Sequence, residues 1–541
     1  MNIEASIQSR AKRWVVPTVL FLGTLIVIAT TAGDYGVTWD EPSYFHAAEL
    51  HLQWLKDARV NISNGELRKS LDDATIKAAW RWNPYNVPHP PFSRIVSAII
   101  KDFSSNMVDK FSAYRLAPAL FFAVLVTVAY LWLHELFGPA TGLFAAAALM
   151  LIPNLFGYAH LAVTDLPLAT LWFLTVYSFW KGLNGWPWSV ALGLIWGLAI
   201  STKFPALLIP APLILWAHVF HRDKYANNVV ALLFLAPVVM VATQPYLWHQ
   251  TGLRFLEFLY EGISRGYRPD ANFGVFFRNQ ILSSQQLPWY YPFYIIAVTT
   301  PEPVLFLAFV GIFSPIWLRD QRSTLLLLTL NAAFVPILGL LPGAVLHDNV
   351  RQLLSALPFL ATLAAVGFFA TTSWLSNAAR HFESFQKIAH LRAKTSTAVF
   401  LVACFHPLMD LYLTHPFQLS YYNRLVGGIR GAYWHGLETT YFMEAITPGF
   451  LETLNEKLPQ NAKVNASFAN FMFEFYQREG KLRHDIRFGA SEPFDFYLVF
   501  NRRSALSPRD RRFMHGRAHP MKSVSLAGVP LVALFDVRTS H

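Results

Sequence analysis

Two neighbouring acids, Asp40 and Glu41, follow the first apolar stretch of the chain in the segment Thr-Trp-Asp-Glu-Pro. A third acid, Asp165, stands where a later apolar stretch begins. Ionised side chains at the edge of a membrane-spanning helix cost free energy, and they therefore tend to mark a path for substrate or ions. The alternative at each place is structural, because Asp or Thr just before a first turn that contains proline is a typical helix N-cap.

Two basic residues stand at the ends of other apolar stretches: Lys203 in Ser-Thr-Lys-Phe-Pro and Arg351 in His-Asp-Asn-Val-Arg. Lys offers a point charge to a phosphate, and Arg binds one through two parallel hydrogen bonds. Together they could clamp one phosphate, whereas snorkelling to lipid headgroups is the alternative for Lys203. His89 precedes two prolines that would hold it in place, although a lone His is more often structural than catalytic.

The composition indicates what must position these residues. Of 541 residues, 54% are hydrophobic and only 14% are charged, against about 25% charged in average proteins. Apolar runs recur along the chain, so we expect an all-α polytopic membrane protein rather than a cytosolic enzyme, a disordered chain or a fibrous repeat. The net charge of +11 is then explained by contact with anionic membrane lipids and not by nucleic acid. The single cysteine, Cys404, excludes a disulfide framework.

Eleven apolar stretches approach the ~20 residues that a membrane span requires. They cover residues 14–32, 114–137, 139–157, 163–181, 187–202, 204–220, 228–245, 301–318, 323–341, 352–372 and 396–413.

Lys and Arg in short loops predict the orientation, because they accumulate on the cytoplasmic side. With a cytoplasmic N-terminus, twelve of them face the cytoplasm and only Lys203 and Arg351 lie in short outer loops. The twelve are Arg10, Lys12, Arg13, Lys181, Arg222, Lys224, Arg319, Arg322, Arg380, Lys387, Arg392 and Lys394.

This orientation divides the chain into a transmembrane domain over 1–413 and an outer segment over 414–541. Within the first part, 33–113 and 246–300 form long outer loops. The 33–113 loop carries apolar residues at helical spacing around 47–55 and 91–100, which predicts amphipathic helices on the outer membrane surface. From about residue 445, helix and strand patterns alternate, so we expect a small C-terminal α/β appendage.

Five short motifs occur in a characteristic order. They are Trp-Asp-Glu-Pro at 39–42, His-Pro-Pro-Phe at 89–92, Thr-Asp-Leu-Pro-Leu at 164–168, Thr-Lys-Phe-Pro at 202–205 and Arg-Gln-Leu-Leu-Ser-Ala-Leu-Pro-Phe-Leu at 351–360. In this order, and on one membrane face, the motifs resemble those of GT-C-type glycosyltransferases. The resemblance is to the protein-mannosyltransferase and aminoarabinose-transferase-like group, and it covers about residues 14–372.

The resemblance implies an inverting transfer of a sugar from a polyprenyl-phosphate-linked donor to a hydroxyl on a protein, a lipid or a glycan. It places the general base at Asp40, with Glu41 beside it and Asp165 as the second acid. A carboxylate base suits this chemistry, because a hydroxyl is a poor nucleophile at neutral pH. Members of the family differ in their need for a divalent metal, so it stays open whether these three acids hold one.

The departing phosphate is already a good leaving group, so it needs cationic stabilisation more than an acid. The resemblance assigns that role to Lys203 and Arg351, and it lets His89 position the acceptor or the phosphate.

Two other classes of function compete with this interpretation. A transporter or flippase of lipid-linked sugars usually carries charges near the bilayer midplane and an internal repeat, and neither is apparent in the sequence. A non-catalytic membrane scaffold would not explain acids and bases at the mouths of four spans. The absence of disulfides in long outer segments favours a bacterial plasma membrane, with the active site facing outwards.

The charge distribution predicts the membrane topology directly. Reporter fusions at Lys181, Arg322 and Ser384 should report a cytoplasmic location, and fusions at Gly343 and His541 an outer one. An outer signal at Ser384 would contradict the assignment, because positive charge would then accumulate outside.

Overall fold

A computed structural model of the protein describes residues 3–81, 89–268, 273–379, 388–516 and 518–538. The helices are α1 (Ile3–Thr31), α2 (Glu41–Ser63), α3 (Leu67–Leu71), α4 (Asp73–Trp80), α5 (Phe92–Ser104), α6 (Lys110–Phe137), α7 (Pro139–Met150), α8 (Pro153–Tyr158), α9 (Asp165–Gly182), α10 (Trp186–Ile200), α11 (Pro210–Phe220), α12 (Ala226–Val230), α13 (Ala236–Ala242), α14 (Thr251–Ser264), α15 (Tyr291–Thr299), α16 (Glu302–Phe313), α17 (Arg322–Leu338), α18 (Leu357–Ala379), α19 (Ile388–Thr414), α20 (Gly428–Trp434), α21 (Pro448–Lys457), α22 (Asn470–Arg478) and α23 (Pro508–His515).

The strands are β1 (Val275–Phe277), β2 (Gln280–Leu282), β3 (Lys463–Ala466), β4 (Arg487–Phe488), β5 (Phe496–Phe500), β6 (Lys522–Leu526) and β7 (Val529–Asp536). Strands β1 and β2 form an antiparallel hairpin, and the other five form one sheet.

The predicted all-α membrane architecture is confirmed: each of the eleven apolar stretches is helical over most of its length. In the described residues, five helical segments are long and apolar enough to cross a membrane alone. They are Arg13–Asp34, Lys110–Phe137, Arg319–Leu338, Arg351–Ala378 and Lys394–Thr414. Shorter apolar helices account for most of the others, so the number of crossings and the orientation stay predictions. Arg380 and Lys387 of the charge count lie outside the described residues.

Prolines break two of the predicted stretches. The stretch 139–157 is two helices, because α7 ends at Met150 and Pro153 begins α8. The stretch 204–220 opens with a 3-10 turn, after which Pro210 begins α11. Proline has no N–H to continue a helical ladder, so it starts a new helix more readily than it prolongs one.

Helices α16 and α18 pack with their backbones in direct contact. A Cβ added at Gly367 would lie 1.8 Å from the carbonyl oxygen of Leu307, and one at Gly311 would lie 2.0 Å from that of Leu363. Small residues permit such close approach between membrane helices. This contact anchors α18, whose outer end continues from the 3-10 turn that begins at Arg351.

The first outer loop forms the predicted amphipathic helices. Helix α5 buries Ser97 and Ala98 and packs against α2, whereas Ile99 and Phe103 are exposed. An apolar face turned outwards is expected for a helix that lies on a membrane surface.

The small C-terminal sheet has the strand order β4-β3-β5-β7-β6. Strand β3 is parallel to β4 and β5, and β7 is antiparallel to both β5 and β6. The α/β appendage was predicted, but β4 and α23 were not, because β4 has only two residues and α23 is largely polar. The appendage joins the first outer loop, since the Val37 backbone N–H donates to the Tyr476 hydroxyl at 2.9 Å.

A buried ion pair holds the turn that precedes α2. Arg115 of α6 donates to both oxygens of Glu41 at 2.9 and 2.8 Å, and it also binds the carbonyl oxygens of Ala32, Tyr35 and Gly36. Neither charged side chain exceeds 1% exposure.

Glu41 accepts further hydrogen bonds from the backbone N–H groups of Thr38 and Ala162. It therefore ties the start of α2 to α6 and to the loop that leads into α9.

Breaking this pair from one side should strongly destabilise the fold. Arg115→Met leaves the Glu41 charge buried without compensation, and we expect a loss of ~3–5 kcal/mol in unfolding free energy. Thermal unfolding in detergent checks this, with Lys56→Met as the matched control because the Lys56–Asp102 pair is exposed and worth at most about 1 kcal/mol. Equal midpoints for the two variants would contradict the role given to Arg115.

Candidate active site

The guanidinium of Arg351 contacts three carboxylates from three separate parts of the chain. Its Nη2 donates to Asp40, its Nε donates to Asp165 at 3.3 Å, and its Nη1 donates to Asp348 at 3.0 Å. Only 5% of the Arg351 side chain is exposed. The planar guanidinium suits this arrangement, because its five N–H donors point in fixed, divergent directions.

Lys203 completes the centre of the cluster. Its Nζ donates to Asp165 at 2.7 Å and to the Gln352 side chain at 3.4 Å. Asp165 is therefore held between Lys203 and Arg351. Together with Asp40, these are four of the six predicted site residues, and the fold brings them together from loops between distant helices.

The N-cap alternative for the acids is wrong. Asp40 and Thr164 occupy the N-cap positions of α2 and α9, but neither side chain makes a capping hydrogen bond. The Asp40 carboxylate is turned to Arg351 instead. Snorkelling of Lys203 to headgroups is also wrong, because this side chain is only 8% exposed.

Glu41 and His89 stand apart from this contact. Glu41 is engaged by Arg115 and points away from Arg351. The buried His89 ring is parallel to the ring of Tyr44, with 6.5 Å between centroids. Its Nδ1 has no hydrogen-bond partner among the described residues.

Sequence reasoning missed Asp348, which lies three residues before Arg351. Asp348 and Asn349 adopt left-handed backbone conformations with φ of 57° and 58°. Asp and Asn are the residues that tolerate this region best apart from glycine, so the adjacent pair in His-Asp-Asn-Val-Arg was a usable signal. This local strain turns the Asp348 carboxylate back onto Arg351.

Arg502 joins the cluster from the C-terminal appendage. It follows β5 by two residues, and it donates to Asp348 at 3.1 Å and to the carbonyl oxygen of Tyr441 at 2.9 Å. Nothing in the sequence around it indicated such a role, because the contact depends on how the sheet docks.

A further cation, Arg265, faces the cluster from the turn after α14. It is half-buried and makes no hydrogen bond or ion pair with the residues that the structure describes. Burial lowers the pKa of Arg265, and the charges of Tyr44 and Asp40 oppose that shift. No motif in the sequence marks this position.

The cluster itself holds one more cation than acid, and the buried Glu438 lies beside it near Arg502. The three acids Asp40, Asp165 and Asp348 face four cations, which are Lys203, Arg265, Arg351 and Arg502. Burial lowers the pKa of His347 to about 4, so this neighbour is neutral at pH 7. Among the described residues, Arg265 is the cation of this cluster that makes no ion pair with a carboxylate, although Asp40 lies near enough to act on its charge.

The individual pKa values follow from burial. Burial raises the pKa of Asp40 above its ordinary value, although the Arg351 guanidinium opposes the rise. Burial lowers the pKa of Lys203, and Asp165 opposes that change. Burial also lowers the pKa of His89, with Arg265 and Lys203 adding to the effect. His89 therefore lies uncharged in an electropositive environment.

The three predicted acids do not form a metal site. Asp40, Glu41 and Asp165 are each bound by Arg or Lys side chains, and Glu41 faces a different direction. Within the described parts of the chain, the residues with suitable ligand spacing are Glu302, His406 and Asp410, which lie elsewhere.

A small recess with both polar and apolar lining adjoins the cluster on the side of Asp348. Asn349, Glu438, Tyr441 and Arg502 contribute to its lining. The Asn349 Oδ1 has no hydrogen-bond partner among the described residues, so the recess offers a free acceptor to a hydroxyl-bearing ligand.

Comparisons with known proteins agree with this architecture. Residues 89–249 match the family model of dolichyl-phosphate-mannose-protein mannosyltransferases, and this range includes His89, Asp165 and Lys203. No curated protein sequence matches the chain significantly.

Among solved structures, ArnT from Cupriavidus metallidurans in the apo state is similar over 97% of this chain and 98% of its own, with 16% identity and a TM-score of 0.50. The same protein bound to undecaprenyl phosphate matches over 96% and 97%, with 16% identity and a TM-score of 0.49. The apo likeness shows a shared fold. The resemblance to the mannosyltransferase and aminoarabinose-transferase-like group is confirmed.

Proposed function

We propose that this protein is a membrane glycosyltransferase that moves a sugar from a polyprenyl-phosphate-linked donor to a hydroxyl acceptor on the outer face of a bacterial plasma membrane. The observation that carries the proposal is the cluster in which Arg351 holds Asp40 and Asp165 while Lys203 holds Asp165. It combines a carboxylate base with cations for a phosphate. The match of 89–249 to a family that uses a lipid-phosphate sugar supports the same chemistry.

Asp40 is the general base in this proposal because it is the acid that an acceptor can reach. Its side chain is 27% exposed, whereas Asp165 and Asp348 are 1% and 0% exposed. A raised pKa makes its carboxylate a stronger base towards a hydroxyl. Glu41, the rival from the sequence, is buried against Arg115 and has no access to the acceptor.

Asp165 acts as a positioning residue. Its two oxygens bind Lys203 and Arg351 separately, so it fixes the distance between the two predicted phosphate ligands. A fixed array of cations stabilises developing charge without reorganisation during the reaction.

The donor phosphate binds where positive charge is least compensated. Lys203, Arg265 and Arg351 all act on the pKa of His89, so their fields converge near that ring. Arg265 has no carboxylate partner among the described residues. The donor phosphate would be its anionic partner. Neutral His89 then offers a hydrogen bond to the phosphate or the acceptor.

The base and the departing phosphate lie on opposite sides of the sugar in a single displacement, which inverts the anomeric carbon. Asp40 takes the acceptor proton as the new bond forms, and the pair of electrons of the broken C–O bond leaves with the lipid phosphate. The acceptor hydroxyl approaches Asp40 from the side on which this carboxylate is exposed. The acceptor is a protein, a lipid or a glycan.

Replacing the base should remove turnover without removing donor binding. We expect Asp40→Asn to lower kcat roughly 10²–10⁴-fold, the usual contribution of a positioned base. The rate of lipid-phosphate release from polyprenyl-phosphate sugars measures this. In the unmodified protein, kcat/KM should rise with pH as Asp40 loses its proton, at a pH above the range of an ordinary Asp. The Asp40→Asn variant should not show this rise.

Glu49→Gln, on the same helix, is the matched control and should keep normal turnover. Near-normal turnover by Asp40→Asn would transfer the role to another group or remove the proposed mechanism.

Removing the uncompensated cation should weaken phosphate binding. Arg265→Ala and Lys203→Ala should each raise the Kd for undecaprenyl phosphate about tenfold to hundredfold, because each loses a charge-assisted interaction of about 1.5–3 kcal/mol. They should also lower kcat, because charge on the phosphate grows in the transition state. Arg268→Ala is the control, since Arg268 belongs to the same turn but pairs with Glu261. An unchanged Kd for Arg265→Ala would show that the phosphate binds elsewhere.

A further inference from the structure

Three ligand-type side chains meet at the outer ends of α16 and α19, outside the proposed active site. Glu302 is the first residue of α16, and His406 and Asp410 lie one turn apart on α19. Glu302 Oε2 is 3.3 Å from His406 Nδ1, and His406 Nε2 is 3.5 Å from Asp410 Oδ2. One ligand atom from each residue lies within 4.8 Å of the others.

Two of these atoms are buried without a hydrogen bond. Among the described residues, Glu302 Oε2 and His406 Nε2 are both inaccessible to solvent and lack a hydrogen-bond partner. A buried polar atom without a partner costs about 1–3 kcal/mol. A bound cation would satisfy both atoms.

We propose that Glu302, His406 and Asp410 bind a divalent transition metal of the Zn²⁺ class. Carboxylate oxygens and an imidazole nitrogen are ligands that Zn²⁺ accepts, at about 2.0–2.2 Å. The site goes beyond the transfer reaction proposed above, and none of its ligands touches the Arg351 cluster.

Hydrogen bonds from neighbouring residues orient the two carboxylate ligands. The backbone N–H of Arg424 donates to Glu302 Oε1, which leaves Oε2 free. The Tyr421 hydroxyl donates to Asp410 at 3.0 Å. Such hydrogen bonds fix the direction of ligating carboxylates. Arg424 Nη2 is 3.7 Å from Asp410, but its side chain is 68% exposed and therefore free to turn towards solvent.

A protonated His406 bridging the two acids explains the geometry less well. Such a bridge would give hydrogen bonds from both ring nitrogens, yet Nε2 makes none. A metal needs only one ring nitrogen, and one ligand atom of each residue already lies within 4.8 Å of the other two.

The metal would connect weakly packed parts of the outer face. The apolar part of helix α19, Lys394–Thr414, is mostly exposed. The ion would link α19 to α16 and thereby hold the segment that follows α19. In that segment, Tyr422 donates to the carbonyl oxygen of Glu438 at 2.6 Å and accepts from the side chain of Asn349 at 3.1 Å. The metal site thereby supports the loop that carries Asp348.

Metal uptake by the full chain in detergent tests the proposal. The protein is stripped with a chelator, dialysed and titrated with Zn²⁺, and the bound metal is measured by mass spectrometry. We expect one equivalent per chain and a higher midpoint of thermal unfolding. Co²⁺ in place of Zn²⁺ should give visible absorption bands characteristic of low coordination number.

Variants of the ligands separate this site from adventitious binding. His406→Ala, Glu302→Gln and Asp410→Asn should each weaken Zn²⁺ binding by more than about tenfold, the lower bound seen even for outer-shell partners. His218→Ala is the control, because this His is exposed on α11, and it should bind like the unmodified protein. The absence of stoichiometric uptake by the unmodified protein, or equal uptake by Glu302→Gln and Asp410→Asn, would overturn the proposal.

Discussion

The structure depends on one cation that contacts three acids, of which two are buried and the third is partly exposed. Arg351 is nearly inaccessible, and its guanidinium contacts Asp40, Asp165 and Asp348. In a medium of low polarity, none of these acids would stay ionised without a nearby positive charge. The start of α2, the start of α9 and the strained loop at 348–349 can therefore take up their positions only together. Asp165 and Asp348 each have a second cation, Lys203 and Arg502, so the cluster is one continuous network of ion pairs.

The adjacent acids at 40 and 41 show how the fold separates two similar groups. Neighbouring residues on a helix point about 100° apart, so one acid meets Arg115 and the other meets Arg351. Glu41 is fully buried and pairs with the structural residue Arg115. Asp40 is partly exposed to solvent. Under the proposed mechanism, these different environments give Asp40, and not Glu41, the access that a general base needs.

The helical architecture and four central residues could be predicted from the sequence, because apolar runs and proline-flanked charges are local signals. Asp348 and Arg265 were missed for different reasons. The role of Asp348 depends on the left-handed backbone conformation of its loop. Arg265 lies in a turn whose sequence has no distinctive pattern. Arg115 escaped notice because a lone Arg inside an apolar helix reveals its partner only when the helices are packed. The roles assigned to the six predicted residues stay predictions, whereas their placement is now described.

The position of Arg502 has a consequence for biosynthesis. This residue follows β5, a strand that lies between β3 and β7 in the sheet, and β7 is formed by residues Val529–Asp536. Its contact with Asp348 thus requires late-synthesised strands to have reached the same side of the membrane and paired. Until then, Asp348 and the loop at 348–349 lack the ion pair with Arg502. The cluster is therefore completed by a residue from the last-synthesised part of the chain.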